Sequence, residues 1–493
     1  MSTKKNTLWL GGQFLSASLL AFIAIKINIL NYGDTLLGSW LILSSVWSLS
    51  LGIDFGFGVT IIRFISAARS ENPEFNVEDI YSFSVVAIVV LGILLGAVSY
   101  SIGYAFYLSN PGIVPPAQYS GLRLSFDLLA LNFLVQYFAI AFRSTLEGHG
   151  HFIVTSKMLI TFNVLVFLFT VAVYLFKLPV YYLSAAFLSS SLIYLSLTLI
   201  AKRKLLHGLH FSFRKINTRS LRAYFGFGFN MQAASVFIAV LDPAIKYIFG
   251  SLISLSTVTN YEIARRISIA LSGLYQNSFR HLITKTSSLA NDEEKLSFLK
   301  GDALTFSKIG VLYSNIVYGA GSIFLYLLII LAFREPFIFY LLAILLAGDA
   351  FQPLVYTGYS FLLGTAKTFV ILMVHFIQLI MITGIVFLSA YFFSDPAGLA
   401  VYPLAIIVSM QIIYHYVLEG KGIHINKYYA DSSFHKFLPT FAGMLLSLFF
   451  YKYFPGLLSY YLSVFCLVTL GLNFKLLKIY YRAFLPSKNN LAG

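Results

Sequence analysis

The sequence has little charge and almost no cysteine. Charged residues make up 11% of its 493 positions, and only 19 residues are Asp or Glu. Soluble globular proteins carry roughly 25% charged residues, so this chain cannot cover a water-exposed surface of its size. The single cysteine, Cys466, excludes an intramolecular disulfide and any cysteine-based zinc or iron–sulfur site. With 58% hydrophobic residues, the composition excludes a disordered chain and leaves a membrane protein.

Common catalytic and nucleotide-binding motifs are also missing. The sequence contains no GxxxxGK[ST] phosphate loop, no HExxH metal motif and no G-x-S-x-G nucleophile elbow. None of the nine His residues lies at zinc-ligand spacing, and no break between apolar runs is long enough for a soluble catalytic domain. We therefore expect a non-enzymatic protein without a metal site or other cofactor.

Long apolar runs fill most of the chain. A helix needs about 20 mostly apolar residues to cross the hydrocarbon core of a bilayer, and about fourteen such runs follow one another. Lys452, Tyr453 and Pro455 interrupt the last two runs. This pattern predicts an all-α polytopic membrane protein with about 14 transmembrane helices. The predicted spans are 8–31, 36–62, 80–108, 122–146, 151–176, 180–201, 223–249, 257–284, 304–332, 337–363, 366–393, 397–418, 437–454 and 456–479.

The basic residues lie mainly at every second break between the apolar runs. If the N-terminus is inside, about 25 Lys and Arg lie at inside ends of the spans and about 4 lie at outside ends. This bias predicts that both termini are cytoplasmic. The longest inside break, 202–222, carries seven basic residues. We interpret it as a cytoplasmic anchor between two helical halves rather than as a nucleic-acid-binding segment.

Ionisable residues inside the apolar runs are the candidate functional residues, because charge in mid-membrane is costly and usually faces a cavity or a partner. Asp242 and Lys246 are four residues apart on one helix face, and Pro243 between them can kink the helix. Glu262 and Arg266 have the same spacing. The sequence leaves open whether the first pair is locally neutralised or forms a hinge or an ion site.

Two further cations are candidates for binding an anion. Lys26 lies deep in the first span, and it either lines a cavity or snorkels to the interface. Arg265 lies on a helix face next to the Glu262–Arg266 pair, and a guanidinium can bind phosphate or carboxylate bidentately. Pairing of Arg265 with Asp242 is the competing interpretation.

Three short segments carry a family signature. Residues 54–58 read DFGFG, with Arg63 five residues later, and the pattern resembles D-[LF]-G-[LF]-G. Asp242, followed by YEIAR at 261–265, resembles D-x-n-Y-x-x-A-[KR], and FRSTLEGHG at 142–150 resembles a loop that closes a fourth span. Together these segments resemble the polysaccharide flippases of the multidrug/oligosaccharidyl-lipid/polysaccharide exporter superfamily.

This resemblance implies two pseudo-symmetric six-helix lobes around a central cavity, followed by two C-terminal helices. The equal distance from Gly12 to Lys26 and from Gly228 to Asp242 gives weak independent support for such a repeat. The predicted domains are the N-terminal lobe 1–201, the basic linker 202–222, the C-terminal lobe 223–418, a cytoplasmic loop 419–436, and the additional helices and tail 437–493.

The resemblance also implies the function. The chain would translocate a polyprenyl-pyrophosphate-linked oligosaccharide, such as an O-antigen repeat unit for lipopolysaccharide biosynthesis, across a bacterial inner membrane by alternating access with H⁺ or Na⁺ coupling. The residues expected to contact the anionic substrate are Lys26, Arg265, Arg266, Arg63 and Arg143. The carboxylates expected to bind the coupling ion or to pair structurally are Asp242, Asp54, Glu262, Asp127 and Asp349.

Other functions stay open at this point. The alternatives are an exporter of another amphipathic solute, such as a peptidoglycan lipid precursor or a drug, and a membrane-bound polysaccharide polymerase or acyltransferase. Cations inside the spans disfavour a carrier of drug cations, and the lack of a long outside loop disfavours a polymerase. The expected partners are the lipid-linked oligosaccharide, membrane lipids and other polysaccharide-assembly proteins, with no nucleic acid.

Overall fold

The computed structural model describes most of the chain, and all regular structure in the described residues is helical. Nine helical stretches in this part of the chain, or ten with one bent pair, are long and apolar enough to cross a membrane. Every predicted span overlaps a described helix, which confirms the all-α polytopic fold. The described residues are 3–52, 58, 61–62, 65, 77–212, 229–279, 292–365, 367–418, 424–432 and 436–484.

The chain divides into two compact units. Unit 1 comprises Met1–Ile263 with Val386–Pro396, and unit 2 comprises Ala264–Ile385 with Ala397–Gly493. The α-helices up to the end of the first unit are α1 (Thr3–Gly52), α2 (Val77–Ile102), α3 (Tyr119–Gly148), α4 (Phe152–Leu175), α5 (Tyr181–Leu205), α6 (Phe229–Leu252) and α7 (Leu255–Phe279), the last of which continues into unit 2.

The remaining helices belong mainly to unit 2. They are α8 (Asp292–Phe298), α9 (Leu304–Tyr313), α10 (Ser322–Phe333), α11 (Pro336–Asp349), α12 (Gln352–Gly364), α13 (Thr368–Phe393), α14 (Val401–Leu418), α15 (Ile425–Asp431), α16 (Leu438–Tyr453) and α17 (Leu458–Phe484). Short π-helical segments at Gly103–Leu108, Leu299–Ala303 and Ser314–Ala320 extend α2, α8 and α9.

The first predicted span and the second as far as Gly52 form one helix that is interrupted at Gly33. The backbone there has φ +72° and ψ 170°, outside the helical region. Glycine reaches positive φ without a steric penalty because it has no Cβ. The sequence placed the break between residues 31 and 36, and the structure produces it through this single residue rather than through a loop.

The tenth predicted span, 337–363, is broken in the structure. Helices α11 and α12 meet at a bend of 42°. Pro353 in the first turn of α12 has no backbone N–H to continue the hydrogen-bond ladder. Side-chain hydroxyls bond to carbonyls around the break: Ser314 donates to Ala350 O at 2.7 Å, and Tyr414 donates to Leu354 O in the first turn of α12 at 2.9 Å. Polar partners of this kind are what make irregular backbone tolerable inside a membrane protein.

Within unit 2, a buried polar cluster joins the last two helices to the segment that follows α9. Asn315 donates an amide hydrogen bond to Asn473 Oδ1 at 2.6 Å, and Thr440 donates to Asn315 Oδ1 at 2.6 Å. These three side chains are almost fully buried. Helices α16 and α17 are therefore packed onto the π-helical segment that follows α9.

Replacing Asn315→Leu should destabilise unit 2. The change leaves the buried amide of Asn473 and the hydroxyl of Thr440 without this partner, at a cost of about 1–3 kcal/mol. We expect a lower unfolding temperature of the purified protein in detergent. The control is Ser463→Ala, which removes an exposed hydroxyl that bonds only within its own helix. Equal unfolding temperatures for the two variants would contradict a stabilising role for the cluster.

Candidate functional site

A buried ion triad lies in unit 1, where α6 meets the start of α7. The Lys246 ammonium is 2.6 Å from Asp242 Oδ2 and 2.6 Å from Glu262 Oε2. The side chains of Lys246 and Glu262 are only 7% and 8% exposed, whereas that of Asp242 is 29% exposed. The Asp242–Lys246 pair predicted from the four-residue spacing is thus present, and Pro243 lies between its members inside α6.

Glu262 makes a contact that the sequence interpretation did not include. It is bound to Lys246 on the neighbouring helix. Spacing along one helix carries no information on contacts between helices, so this contact could not be predicted from the sequence. With all three groups ionised, two carboxylates share one ammonium, and the triad has one excess negative charge.

Next to the triad, α1 packs against the turn between α6 and α7 so closely that the glycines at the contact leave no room for a side chain. A Cβ atom at Gly38 would overlap the carbonyl of Leu255, and one at Gly250 would overlap the side chain of Ile42. We call these four residues the glycine seam. Thr259 extends it with a hydrogen bond of 2.7 Å to the carbonyl of Asp34. The seam holds the part of α1 after Gly33, the end of α6 and the start of α7 in close contact on the predicted outer side.

A second buried carboxylate lies in unit 2 at the break between α11 and α12. Asp349, the last residue of α11, is 2% exposed. Its carboxylate accepts a hydrogen bond of 2.7 Å from Tyr402 and another from Ser268. Arg265 donates to the same Ser268 hydroxyl at 3.5 Å and lies close enough to attract Asp349 electrostatically. The structure thus brings together Arg265 and Asp349, which the sequence had not paired.

A cavity of about 200 Å³ opens in unit 1 beside Arg143. Its polar groups are Arg143, the amide of Gln136 and the ring of Tyr194. Gln136 donates to Ser191 at 3.0 Å, which orients its amide. The remaining lining residues are apolar: Leu51, Ile140, Leu159 and Phe162.

The other predicted site residues are spread along the chain. Lys26 in α1 and Arg266 in α7 are partly buried, and Asp127 in α3 accepts a hydrogen bond of 2.9 Å from Tyr100. Asp54 and Arg63 lie outside the described residues. Among the residues that the structure describes, no group of three or more His, Cys, Asp or Glu could hold a metal ion.

A comparison with protein families tests the resemblance to polysaccharide flippases that the sequence motifs indicated. Residues 41–283 match the family model described as polysaccharide biosynthesis protein. The predicted resemblance is confirmed. The matched range contains α2 to α7, the whole ion triad and the Arg143 cavity, so these features lie in the part of the chain that resembles polysaccharide biosynthesis proteins.

Solved transporter structures share the fold of this chain. The lipid II flippase MurJ in an inward closed conformation aligns with TM-score 0.63 and 14% identity, over 95% of this chain and 99% of that one. The Vibrio cholerae MATE transporter VcmN aligns with TM-score 0.60 and 14% identity, over 84% of this chain and 96% of that one. An inward-facing multidrug resistance MATE family transporter of the MOP superfamily gives TM-score 0.61 and 14% identity, over 88% and 96%.

At this level of identity the likeness shows the fold alone. Among proteins of curated function, none matches the sequence significantly. The chain is a multi-pass membrane protein with the fold of MOP superfamily transporters, and its neighbours are a flippase and drug transporters. These findings agree with the expectation of a transporter rather than an enzyme.

Proposed function

We propose that the chain is a flippase that moves a polyprenyl-pyrophosphate-linked oligosaccharide repeat unit, of the O-antigen type, from the cytoplasmic to the outer leaflet of a bacterial inner membrane. The observation that carries the proposal is a polysaccharide biosynthesis match within a transporter fold. A diphosphate cannot cross hydrocarbon unaided, so such a substrate needs a protein path with compensating positive charge. The positive-inside pattern supports cytoplasmic termini and loading of the substrate from that side.

Five cations are the proposed contacts for the anionic part of the substrate. Lys26, Arg265 and Arg266 lie inside the predicted spans, and Arg63 and Arg143 lie near their predicted cytoplasmic ends. Lys and Arg form charge-assisted hydrogen bonds with phosphate oxygens, and the guanidinium can do so bidentately. Their presence inside apolar helices is the chemical feature that favours an anionic cargo over a cationic drug.

Replacing Lys26→Ala or Arg265→Ala should abolish translocation of a lipid-linked oligosaccharide while the protein still reaches the membrane. Each change removes a positive charge that would offset the pyrophosphate. Transport is measured in proteoliposomes, with Arg123→Ala as a control because Arg123 is an exposed cation at the start of α3. Unchanged transport in both variants would remove these residues from the proposed site.

We propose further that transport is coupled to H⁺ or Na⁺ through buried carboxylates. The triad and Asp349 are described places where carboxylates are buried among apolar helices, and a buried carboxylate can bind a cation. Asp349 also lies at the break between α11 and α12, where a bound ion can influence backbone geometry. Asp127 and Asp54 are the other carboxylate candidates of this proposal.

In an Asp349→Asn variant, translocation should lose its response to an imposed H⁺ or Na⁺ gradient, because the amide retains the size of the side chain but cannot bind a proton or Na⁺ in the same way. The comparison is made with Asp431→Asn, an exposed residue of α15. A gradient response equal to that of the wild type would exclude Asp349 as the coupling group.

Export of a peptidoglycan lipid precursor is the second candidate function. The lipid II flippase MurJ shares the fold over 95% of the chain, and the cations inside the predicted spans disfavour export of a cationic drug. The two candidates share a lipid pyrophosphate and differ in the sugar. Translocation assays with both lipids separate them, and preferential transport of lipid II would replace the O-antigen-type proposal.

A further inference from the structure

We infer that His375 is a proton-binding group of unit 2, and that its Nε2 atom exchanges a proton with the cytoplasmic side during transport. The inference rests on the proposed flippase function and specifies H⁺ rather than Na⁺ as a coupling ion. His375 lies in α13, where its ring meets Tyr359 of α12, and its neighbour Gln378 contacts Ser409 of α14. The site is thus a junction of three helices within unit 2.

Hydrogen bonds at this junction fix the orientation of the Gln378 amide. The single hydroxyl proton of Ser409 is donated to the carbonyl of Ala405 at 2.6 Å, so Ser409 Oγ can only accept from Gln378. Gln378 therefore turns its Nε2 toward Ser409 at 2.8 Å, and its carbonyl oxygen Oε1 lies 2.9 Å from His375 Nδ1. Because a carbonyl oxygen only accepts hydrogen bonds, the proton of the imidazole is on Nδ1.

The other ring nitrogen of His375 is left as a buried base. In a neutral imidazole with its proton on Nδ1, the Nε2 atom carries a lone pair and can only accept. In the described part of the chain this Nε2 atom has no hydrogen-bond partner, although it is shielded from solvent. Buried polar atoms in folded proteins almost always have a partner. An apolar side chain would fill this space without an orphaned nitrogen, which points to a use for the lone pair.

A proton is the ligand that fits this nitrogen. Imidazole is the side chain that most readily gains and loses a proton in the physiological pH range. Hard metal cations take oxygen ligands, and no group of three or more His, Cys, Asp or Glu among the described residues could hold a metal ion. The Nε2 atom therefore selects H⁺ over Na⁺, whereas a carboxylate can bind either ion.

The surroundings of His375 make the bound proton a switch. The titratable group that faces its ring is the phenol of Tyr359, with 6.1 Å between the ring centroids, and the facing groups of Gln378 and Ser409 are uncharged. Within the described residues, His375 forms no ion pair. A proton on Nε2 would place a positive charge among apolar helices, which is costly unless water or an anionic group reaches it. Proton uptake should therefore favour an arrangement in which the junction is open.

The position of His375 along α13 fits exchange with the cytoplasm. It lies seven residues after Thr368, the first residue of the helix, which corresponds to about 10.5 Å along the helix axis. By the positive-inside pattern this is the cytoplasmic end of the helix. The proton is then exchanged on the side from which the substrate is loaded.

The protonation of His375 is measured by NMR on the purified full chain with ¹⁵N-labelled histidine, and its signals are assigned by their loss in His375→Gln. We expect a proton on Nδ1 and none on Nε2 at neutral pH, and proton uptake by Nε2 on acidification while the protein stays folded. Gln378→Leu removes the acceptor that holds the proton on Nδ1, so it should populate the other tautomer. The tautomer change also assigns the signals if His375→Gln fails to fold.

The role in coupling is measured by translocation of a fluorescent lipid-linked oligosaccharide in proteoliposomes, with and without an imposed pH gradient. The wild type should be accelerated by the gradient, and His375→Gln should lose this acceleration. His415→Gln is the matched control, because His415 is an exposed histidine on the neighbouring helix α14. It should keep the acceleration of the wild type.

A proton on Nε2 at neutral pH, or an Nε2 atom that stays unprotonated at every pH at which the protein is folded, would overturn the inference. An unchanged tautomer in Gln378→Leu would overturn it as well. A full response to the pH gradient in His375→Gln, or acceleration of the wild type by a Na⁺ gradient alone, would remove His375 from coupling and leave the flippase standing. No translocation by the wild type under any gradient would instead remove the flippase, and with it the coupling role.

Discussion

A Lys246→Met variant should accumulate to a much lower level in the membrane than the wild type. The substitution leaves the carboxylates of Asp242 and Glu262 facing each other, each having been 2.6 Å from the same ammonium. Removal of one partner from a buried ion pair typically costs 3–5 kcal/mol, because a buried charge is left uncompensated. Since whole domains are stable by only about 5–15 kcal/mol, this loss is a large part of the total.

The measurement is membrane abundance together with the unfolding temperature of purified protein in detergent. Lys300→Met serves as control, because Lys300 is an exposed cation outside the predicted spans. Adding Glu262→Gln to Lys246→Met should restore part of the lost abundance and stability, since the neutral amide removes one of the two like negative charges. Wild-type abundance and unfolding temperature in the single variant would show that the triad does not stabilise unit 1.

A Gly38→Val variant should open the predicted outer side of unit 1. Any side chain at Gly38 overlaps the carbonyl of Leu255, so the glycine seam cannot close in its present geometry. Overpacking of this kind costs about 1–3 kcal/mol, which corresponds to a shift of roughly five- to 150-fold in the population of the closed arrangement. Translocation should fall in parallel, because alternating access requires closure of each side in turn.

The opening is measured with a reporter cysteine at Val258 in a Cys466→Ala background. Val258 is fully buried, so labelling by an impermeant maleimide should be slow with native Gly38 and at least tenfold faster with Gly38→Val. Gly384→Val is the matched control, because a side chain there meets open space in the middle of α13. Equally slow labelling in both variants would show that the seam tolerates the added volume.

Much of the fold follows from hydrophobic run length and charge placement alone. The predicted spans agree with the helices because a helix that crosses hydrocarbon must satisfy its own backbone, which constrains both its length and its composition. The break at Gly33 was also visible in the sequence. The break at Ala350 was not, because the residues that stabilise it, such as Ser314 and Tyr414, lie far away in the chain.

The candidate site was only partly predictable for the same reason. The spacing of Asp242 and Lys246 on one helix face indicated their pairing, and the structure contains it. The contact of Lys246 with Glu262 and the grouping of Arg265 with Asp349 depend on packing between helices, which periodicity does not encode. The Arg143 cavity had no sequence signal beyond a lone cation, since its walls come from four different helices.

Translocation of a fluorescent lipid-linked oligosaccharide in proteoliposomes is the most direct test of the central claim. The label is placed in one leaflet, and its accessibility to a membrane-impermeant quencher on the opposite side is followed with and without protein. A flippase should make the label appear on the opposite side in a protein-dependent manner, and Lys26→Ala should suppress this movement. Lengthening of the glycan without movement across the bilayer would contradict the account and indicate a polymerase.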